Sequence, residues 1–247
     1  MVGSSDCIAN SNTVLNTIVA EAFSEAADVL EQSDNLQAAA NNVIAENLRN
    51  HRRVIFNGNG YSAEWVEEAA RRGLPNLPSM VASVPSLTTE KAIALFDKFG
   101  VFTKAELESR SEVMYETYAK VTLIEARTML HMASKHYIPS VVRYTARLAD
   151  SVCKVRNACP DASVSVQEEL LRETSALLTE TRDALKRLET AVAESNDLQC
   201  LREMANFCHD TVVPAMHALR EPIDKLELIV DKAIWPVPTY GDLMFEV

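Results

Sequence analysis

Residues 170–192 of this 247-residue chain are LLRETSALLTETRDALKRLETAV, and the fold class follows most directly from them. Apolar or small residues recur at alternating intervals of three and four, the spacing of a heptad seam. The seam consists of Leu171, Thr174, Leu178, Thr181, Leu185, Leu188 and Val192. A second row widens it and consists of Leu170, Leu177, Ala184 and Ala191. An apolar face of this width predicts a helix packed in a bundle rather than a two-stranded coiled coil.

Long helices are also predicted before this stretch. No glycine occurs between Gly100 and Gly241, which favours uninterrupted helices. Thr103 and Glu106 have the Thr-x-x-Glu spacing of a capping box, in which each residue satisfies a backbone N–H of the first turn. We therefore expect a helix to begin at this box and to continue to about residue 137.

The C-terminal part of the chain is predicted to contain a restarted helix, a helical pair and an apolar tail. Pro139 lacks a backbone N–H, so it should bend or restart the helix that precedes it. The helical pair is expected at about 198–219 and 222–233. The tail from Trp235 contains two further prolines and is predicted to be non-helical. Because it is rich in large apolar side chains, we expect it to dock on the bundle or on a neighbouring subunit.

Two amphipathic helices are predicted in the N-terminal part, at about 11–30 and 36–52. The apolar stripe of the first includes Val14, Ile18, Val19 and Phe23. After the second helix the helical pattern is interrupted at 53–63, RVIFNGNGYSA. This segment predicts a short strand, a glycine turn and a helix capped by Ser62. The predicted fold class is therefore mainly α, a long-helix bundle with a short strand and turn near 53–61.

The same interruption has the layout of a dinucleotide-binding turn, which is strand, G-x-G-x-x-A, helix. Such a site also needs a βαβ unit and a carboxylate about 20 residues further on to hold the ribose. No acidic residue occurs between Glu68 and Glu90, and no second strand is apparent. The favoured interpretation is a structural turn that uses Gly58 and Gly60 for positive φ angles.

Composition bounds the compartment and the partners. The net charge of -11, from 35 acidic and 24 basic residues, argues against nucleic acid, whose phosphates need a basic surface. Neither a signal-peptide pattern nor an apolar run of about 18 residues occurs, so no membrane partner is predicted. Five cysteines without a C-x-x-C pair favour a reducing, cytoplasmic location: Cys7, Cys153, Cys159, Cys200 and Cys208.

No catalytic, cofactor-binding or metal-binding residue is assigned from residue chemistry. His131 and His136 are five residues apart, which would place them on different faces of an α-helix. Neither H-E-x-x-H nor the Glu-x-x-His pattern of a di-iron bundle occurs. Glu125 lies near the apolar face of its helix, and an ion pair is favoured over a functional role. The candidate partners for that ion pair are Arg127, Arg143 and Arg147.

Longer blocks of the sequence resemble one family. The run 53–65, RVIFNGNGYSAEW, followed by 72–77, RGLPNL, closely resembles the later part of type III glutamine synthetases. Further blocks agree in order along the chain: 2–5 VGSS, 12–16 NTVLN, 90–96 EKAIALF, 100–103 GVFT and 235–242 WPVPTYGD. One small departure is Asn10-Ser11, where such proteins tend to carry Gly-Pro. The resemblance covers essentially the whole chain.

The resemblance implies that this chain is the C-terminal portion of such an enzyme. In the family, the residues that hold metals, ATP and glutamate lie upstream of the position of Met1. The intact enzyme would join ammonia to glutamate through a γ-glutamyl phosphate, with ATP and Mg²⁺ or Mn²⁺. Residues 1–120 would then complete the catalytic domain, and 121–247 would form the helical extension of the type III enzymes.

Several expectations follow from that resemblance. The chain alone should be inactive, with no cofactor of its own, and should act in fold completion and in assembly of a homo-oligomer, a stacked-ring dodecamer in the intact enzyme. Without the sheet it packs against, the first helix should expose Val14, Ile18, Val19 and Phe23. The alternative is a free-standing helical scaffold without enzymatic activity, which binds a partner through the heptad face at 171–192.

Overall fold

The computed structural model describes residues 7–245, apart from the side chains of Tyr240 and Phe245. The chain forms two compact units, Met1–Ser111 and Glu112–Val247. Every regular element within the described residues is helical, so the mainly α prediction is confirmed. The functional boundary predicted at residue 120 stays a prediction, and the block at 2–5 lies outside the described residues.

The described residues of the first unit form five α-helices before the long helix that crosses the division. They are α1 Ala9–Glu31, α2 Leu36–Asn50, α3 Ala63–Arg71, α4 Met80–Ser83 and α5 Glu90–Lys98. Side-chain caps define several of their starts, because a short polar side chain accepts from a free backbone N–H of the first turn. Asn35 caps α2, Ser79 caps α4 and Thr89 caps α5. Helix α1 packs against α2 and α5.

The strand predicted near 53–61 is wrong. Arg52–Val54 forms a 3₁₀ turn, in which Val54 and Ile55 donate backbone hydrogen bonds to His51 and Arg52 at 3.0 and 3.1 Å. Only Ile55 and Phe56 continue as a short extended segment. A strand needs a neighbouring strand to pair its backbone groups, and the described residues contain none.

The second unit is a bundle organised around its longest helix. Its helices are α6 Lys104–Met132, which begins in the first unit, α7 Ile138–Ala158, α8 Ser165–Ser195, α9 Leu201–Phe207, α10 Val213–Ile229 and α11 Tyr240–Phe245. Helix α8 carries the heptad seam and packs against both α7 and α10. The predicted inward face is confirmed, since Leu177, Leu185 and Leu188 are buried.

The capping box at the start of α6 is confirmed. The backbone N–H of Thr103 donates to a Glu106 carboxylate oxygen at 2.8 Å, and the Glu106 N–H donates to the Thr103 hydroxyl at 3.3 Å. The hydrogen bonds from the Thr103 backbone and hydroxyl hold the pKa of Glu106 below its usual range. The box therefore defines this end of the helix as its sequence indicated.

Helices α7 and α10 are each preceded by a π-helical turn with a proline just beyond it. The turns are Ala133–Tyr137 before Pro139 and Cys208–Val212 before Pro214. A π-turn widens the helix and accommodates a ring that would otherwise clash with the preceding turn. The restart predicted at Pro139 is confirmed. The break predicted before Pro222 is wrong, because that proline is buried inside α10 and the interruption lies at Pro214.

Three buried hydroxyls on α8 are satisfied within their own helix. Thr174 and Thr181 donate to the carbonyls of Leu170 and Leu177, each at 2.7 Å, and Ser195 donates to the carbonyl of Val192 at 2.8 Å. The buried seam consequently contains polar groups that need no partner on another helix.

The tail prediction is partly wrong. Trp235 is buried and its ring lies 5.1 Å from that of Tyr137, which confirms docking at this residue. Leu243 and Met244 are exposed, however, and Tyr240–Phe245 is helical. The reason is a second capping box: Thr239 donates from its N–H and its hydroxyl to the Asp242 carboxylate, both at 2.9 Å, and the Asp242 N–H donates back at 3.3 Å.

The tail should detach in acid. The hydrogen bond from Lys232, and then those from Thr239, lower the pKa of Asp242 from 3.8 to about 2. A carboxyl group whose pKa is depressed in the folded state stabilises that state above its unfolded pKa, and this contribution is lost as the pH falls through the folded value. We therefore expect the tail contacts to weaken between pH 3.8 and about 2.

The indole N–H signal of Trp235 in NMR spectra measures this change, and Trp65, the other tryptophan, provides the internal reference. Asp242→Asn should give the acid form of the Trp235 signal already at neutral pH. A Trp235 signal that is unchanged in this variant would contradict the proposed role of the carboxylate.

Candidate functional site

The sequence interruption forms a shaped loop, residues 55–62, called the braced loop below. Its turn is closed by Asn59, whose side-chain oxygen accepts from the Tyr61 N–H at 3.0 Å and whose carbonyl accepts from the Ser62 hydroxyl at 2.9 Å. Ser62 then caps α3, as predicted, by accepting from the Trp65 N–H at 3.4 Å. The loop therefore runs directly into a helix N-terminus.

An aromatic stack braces the loop across its base. The rings of Phe56 and Trp65 lie 4.2 Å apart between centroids, at an interplanar angle of 22°. Offset stacking of aromatic rings stabilises a contact beyond the area that it buries. This stack was not predicted from the sequence. Two aromatic residues nine positions apart on either side of a glycine turn could have indicated it.

Arg72 ties the two ends of the interruption together. One terminal guanidinium nitrogen donates to the carbonyls of Arg53 and Ile55 at 3.2 and 2.9 Å. Its Nε donates to Glu68 at 2.6 Å, and this hydrogen bond is the main cause that lowers the pKa of the Glu68 carboxyl group. The guanidinium also lies 5.6 Å from the ring centroid of Trp65, within cation–π range. One arginine side chain thus satisfies two backbone carbonyls at the start of the interruption.

The glycines of the loop do not serve the predicted purpose. Among the described residues, the glycines with positive φ are Gly73 and Gly100, at 68° and 62°, so the prediction for Gly58 and Gly60 is wrong. Gly58 instead lies close to an aromatic ring, because a Cβ atom there would lie 2.5 Å from the ring of Phe56 and would force a shift. Gly60 has open space around it.

The tip of the braced loop points its largest side chain into solvent. Tyr61 is 89% exposed, and Asn57 and Asn59 beside it are exposed as well. The tip offers a phenol, amides and backbone groups, which suit hydrogen bonding and aromatic contact with another surface. The loop itself contains no carboxylate, imidazole, amine or thiol side chain.

Each unit also contains an open groove. In the first unit a groove of about 1110 Å³ lies along α1, α2 and the segment that ends in α5. Lys98 donates to Glu21 at 2.5 Å on its wall, and this hydrogen bond raises the pKa of the lysine. In the second unit a smaller groove of about 340 Å³ is lined by methionines of α6, by α10 and by the tail.

The predicted separation of His131 and His136 is wrong. Their ring centroids lie 5.6 Å apart in an edge-on arrangement. The reason is the π-turn Ala133–Tyr137, which winds less per residue than an α-helix and so reduces the angle between positions five apart. Within residues 7–245, no group of three or more His, Cys, Asp or Glu side chains is placed to hold a metal ion.

The ion pair predicted for Glu125 is also wrong. Glu125 is exposed, and each of the three candidate arginines interacts elsewhere. Arg127 donates to Asn196 at 3.3 Å, Arg143 donates to Ser140 at 2.7 Å, and Arg147 pairs with Asp231 at 3.6 Å. Glu125 lies near the apolar stripe in sequence but is not buried. The buried face of this part of α6 consists of Thr122, Leu123 and Ala126.

No helix in the described part of the chain combines the length and apolar character that crossing a membrane requires.

Comparison with known proteins assigns the chain to a family. Residues 39–156 match the family model of the glutamine synthetase C-terminal domain. Over 99% of its length the chain is 32% identical to the type-3 glutamine synthetase of Dictyostelium discoideum, of which it covers 34%. It is 33% identical to a glutamine synthetase of Butyrivibrio fibrisolvens and 29% identical to one of Bacteroides fragilis, covering 31% and 30% of those proteins.

The chain spans about a third of the length of the relatives that it matches. The matched family model covers the braced loop, Arg72 and the whole of α6. The resemblance to the type III enzymes is confirmed by a relative of that name aligned along nearly the whole chain. Residues 39–156 therefore carry the C-terminal domain of the glutamine synthetase family, and nearly the whole chain is similar to a type-3 glutamine synthetase.

Proposed function

We propose that the whole protein to which this chain belongs is a glutamate–ammonia ligase. It would activate the γ-carboxylate of glutamate as γ-glutamyl phosphate with ATP, and ammonia would then displace the phosphate. Mg²⁺ or Mn²⁺ would neutralise the charge on the phosphates. Membership of the glutamine synthetase family supports this proposal.

Within that enzyme, we propose that this chain serves in fold completion and in assembly of the homo-oligomer. The observation that carries this role is the apolar surface of α1. Ile18 and Val19 are each 49% exposed, and Phe23 is 71% exposed, which confirms the exposure predicted for these three; Val14 is half-buried. A contiguous apolar helix face of this kind is typical of a surface that another part of a protein covers.

The alternative scaffold function has no support in the bundle. It requires the heptad face of α8 to be available to a partner. That face is occupied within the chain by α7 and α10, and Leu185 and Leu188 have no exposed surface. We therefore retain the ligase proposal alone.

The isolated chain should be inactive and should self-associate. Supplied with ATP, Mn²⁺, glutamate and hydroxylamine, it should form no γ-glutamyl hydroxamate. It should bind a hydrophobic dye and sediment as an oligomer, because the apolar face of α1 is uncovered. Phe23→Glu should reduce dye binding and self-association, since it places a charge in the centre of that face.

A matched control is Leu228→Glu, which changes an isolated exposed leucine in the second unit and should alter neither property. Metal-dependent turnover by the pure chain would exclude the role in fold completion and assembly. A monodisperse monomer without dye binding would show that α1 is not an interaction surface.

A further inference from the structure

The π-turn before Pro139 places two imidazoles side by side on the surface of the second unit. His131 is the penultimate residue of α6, and His136 lies within the turn Ala133–Tyr137. Both side chains are exposed. The Ile138 N–H reaches back five residues to the carbonyl of Ala133, so the backbone of the turn is hydrogen-bonded and holds the two histidines on one side.

Both rings are available as ligands. In the part of the chain that the structure describes, no side-chain hydrogen bond or ion pair occupies either imidazole, and the edge-on contact at 5.6 Å between centroids is their ring interaction. Two nitrogens that share a metal at ~2.0–2.1 Å each lie roughly 3 Å apart. Because both side chains are exposed, their χ1 and χ2 angles can change without movement of the backbone, and the site requires such a rotation to bring the two nitrogens together.

We propose that His131 and His136 form a two-histidine binding site for a borderline divalent metal ion. Imidazole nitrogen suits Cu²⁺, Ni²⁺ and Zn²⁺, and among these Cu²⁺ forms the most stable complexes. Water completes the coordination sphere, because the described residues supply no third ligand. Mg²⁺, which prefers oxygen ligands and retains its water, does not bind there.

The test is a titration of the chain with Cu²⁺ at about pH 7.5, where free imidazole is mostly neutral. The exposed thiols are first alkylated, so that cysteine does not compete for the ion. Substoichiometric Cu²⁺ should broaden the imidazole NMR signals of His131 and His136 and leave those of His51 and His217 sharp. Ni²⁺ and Zn²⁺, followed by calorimetry, should bind at a stoichiometry of one.

Variants of single histidines decide the assignment. His131→Asn and His136→Asn should each weaken Ni²⁺ binding by about tenfold or more, because each removes one of two protein ligands. His217→Asn, also at an exposed position on a helix, should change it by less than about twofold. Circular dichroism checks that the fold is retained. Equal affinity in all three variants, or broadening spread evenly over the histidines, would overturn the proposal.

Discussion

Leu226→Ala should destabilise the second unit by about 2–5 kcal/mol, the usual range for removing a fully buried leucine side chain. Leu226 has no exposed surface and lies on α10, one of the two helices that cover the seam of α8. The loss combines the transfer of apolar atoms with the cavity that remains, because long packed helices relax only partly into the space. Urea unfolding, followed through Trp235, measures this loss of stability, because Trp235 is buried in the same unit.

The same helix supplies the control. Leu228 is two residues further on and is 88% exposed, so Leu228→Ala removes the same atoms without leaving a cavity. Its free energy of unfolding should match that of the wild type within about 0.5 kcal/mol. Equal effects of the two substitutions would mean that α10 does not face α8 in the orientation described here.

Gly58→Ala should break the brace of the loop. The added methyl group would lie 2.5 Å from Cζ and 2.8 Å from Cε1 of Phe56, so that ring must shift, and we expect the shift to disturb its stack with Trp65. We expect the first unit to lose about 1–3 kcal/mol, the usual cost of overpacking. The indole N–H signal of Trp65 should shift in the NMR spectrum, because the ring current of Phe56 is removed, and the signal of Trp235 should not.

Gly60→Ala is the matched substitution two residues later. No atom lies within 4 Å of a Cβ placed there, and Gly60 does not have a positive φ angle. It should be neutral, or slightly stabilising through a reduced entropy of the unfolded chain. A Trp65 shift as large as that in Gly58→Ala would contradict the steric explanation and point to a general need for glycine in the turn.

The features predicted correctly from sequence are those that depend on local spacing. The seam of α8 follows from its interval of three and four, and the start of α6 follows from the box formed by Thr103 and Glu106. Both signals lie within a few residues of the structure that they specify, so no tertiary information is needed. A box of the same type at Thr239 follows prolines that indicate an irregular tail, so the helix that it begins was not predicted.

The features predicted wrongly depend on contacts between distant residues. The predicted strand at Ile55 does not form, and Arg72, 17 residues further on, donates to the carbonyl of Ile55 in place of a strand partner. The contact between His131 and His136 depends on a π-turn. A sequence pattern read at 3.6 residues per turn does not predict such a turn. The sequence of the braced loop indicated its position in the chain. The contacts that brace it, made by Trp65 and Arg72, are found only in the structure.

The buried hydroxyls of α8 affect what determines the longitudinal alignment of the helices in the bundle. These hydroxyls, on Thr174, Thr181 and Ser195, donate to carbonyls of their own helix. They therefore form no polar bond that would fix one offset between neighbouring helices. Within the buried seam, the longitudinal alignment of α7, α8 and α10 then depends on the shapes of the packed side chains rather than on these hydroxyls. Enlarging a threonine of the seam should therefore shift a helix along its axis, whereas removing its hydroxyl alone should leave the alignment unchanged.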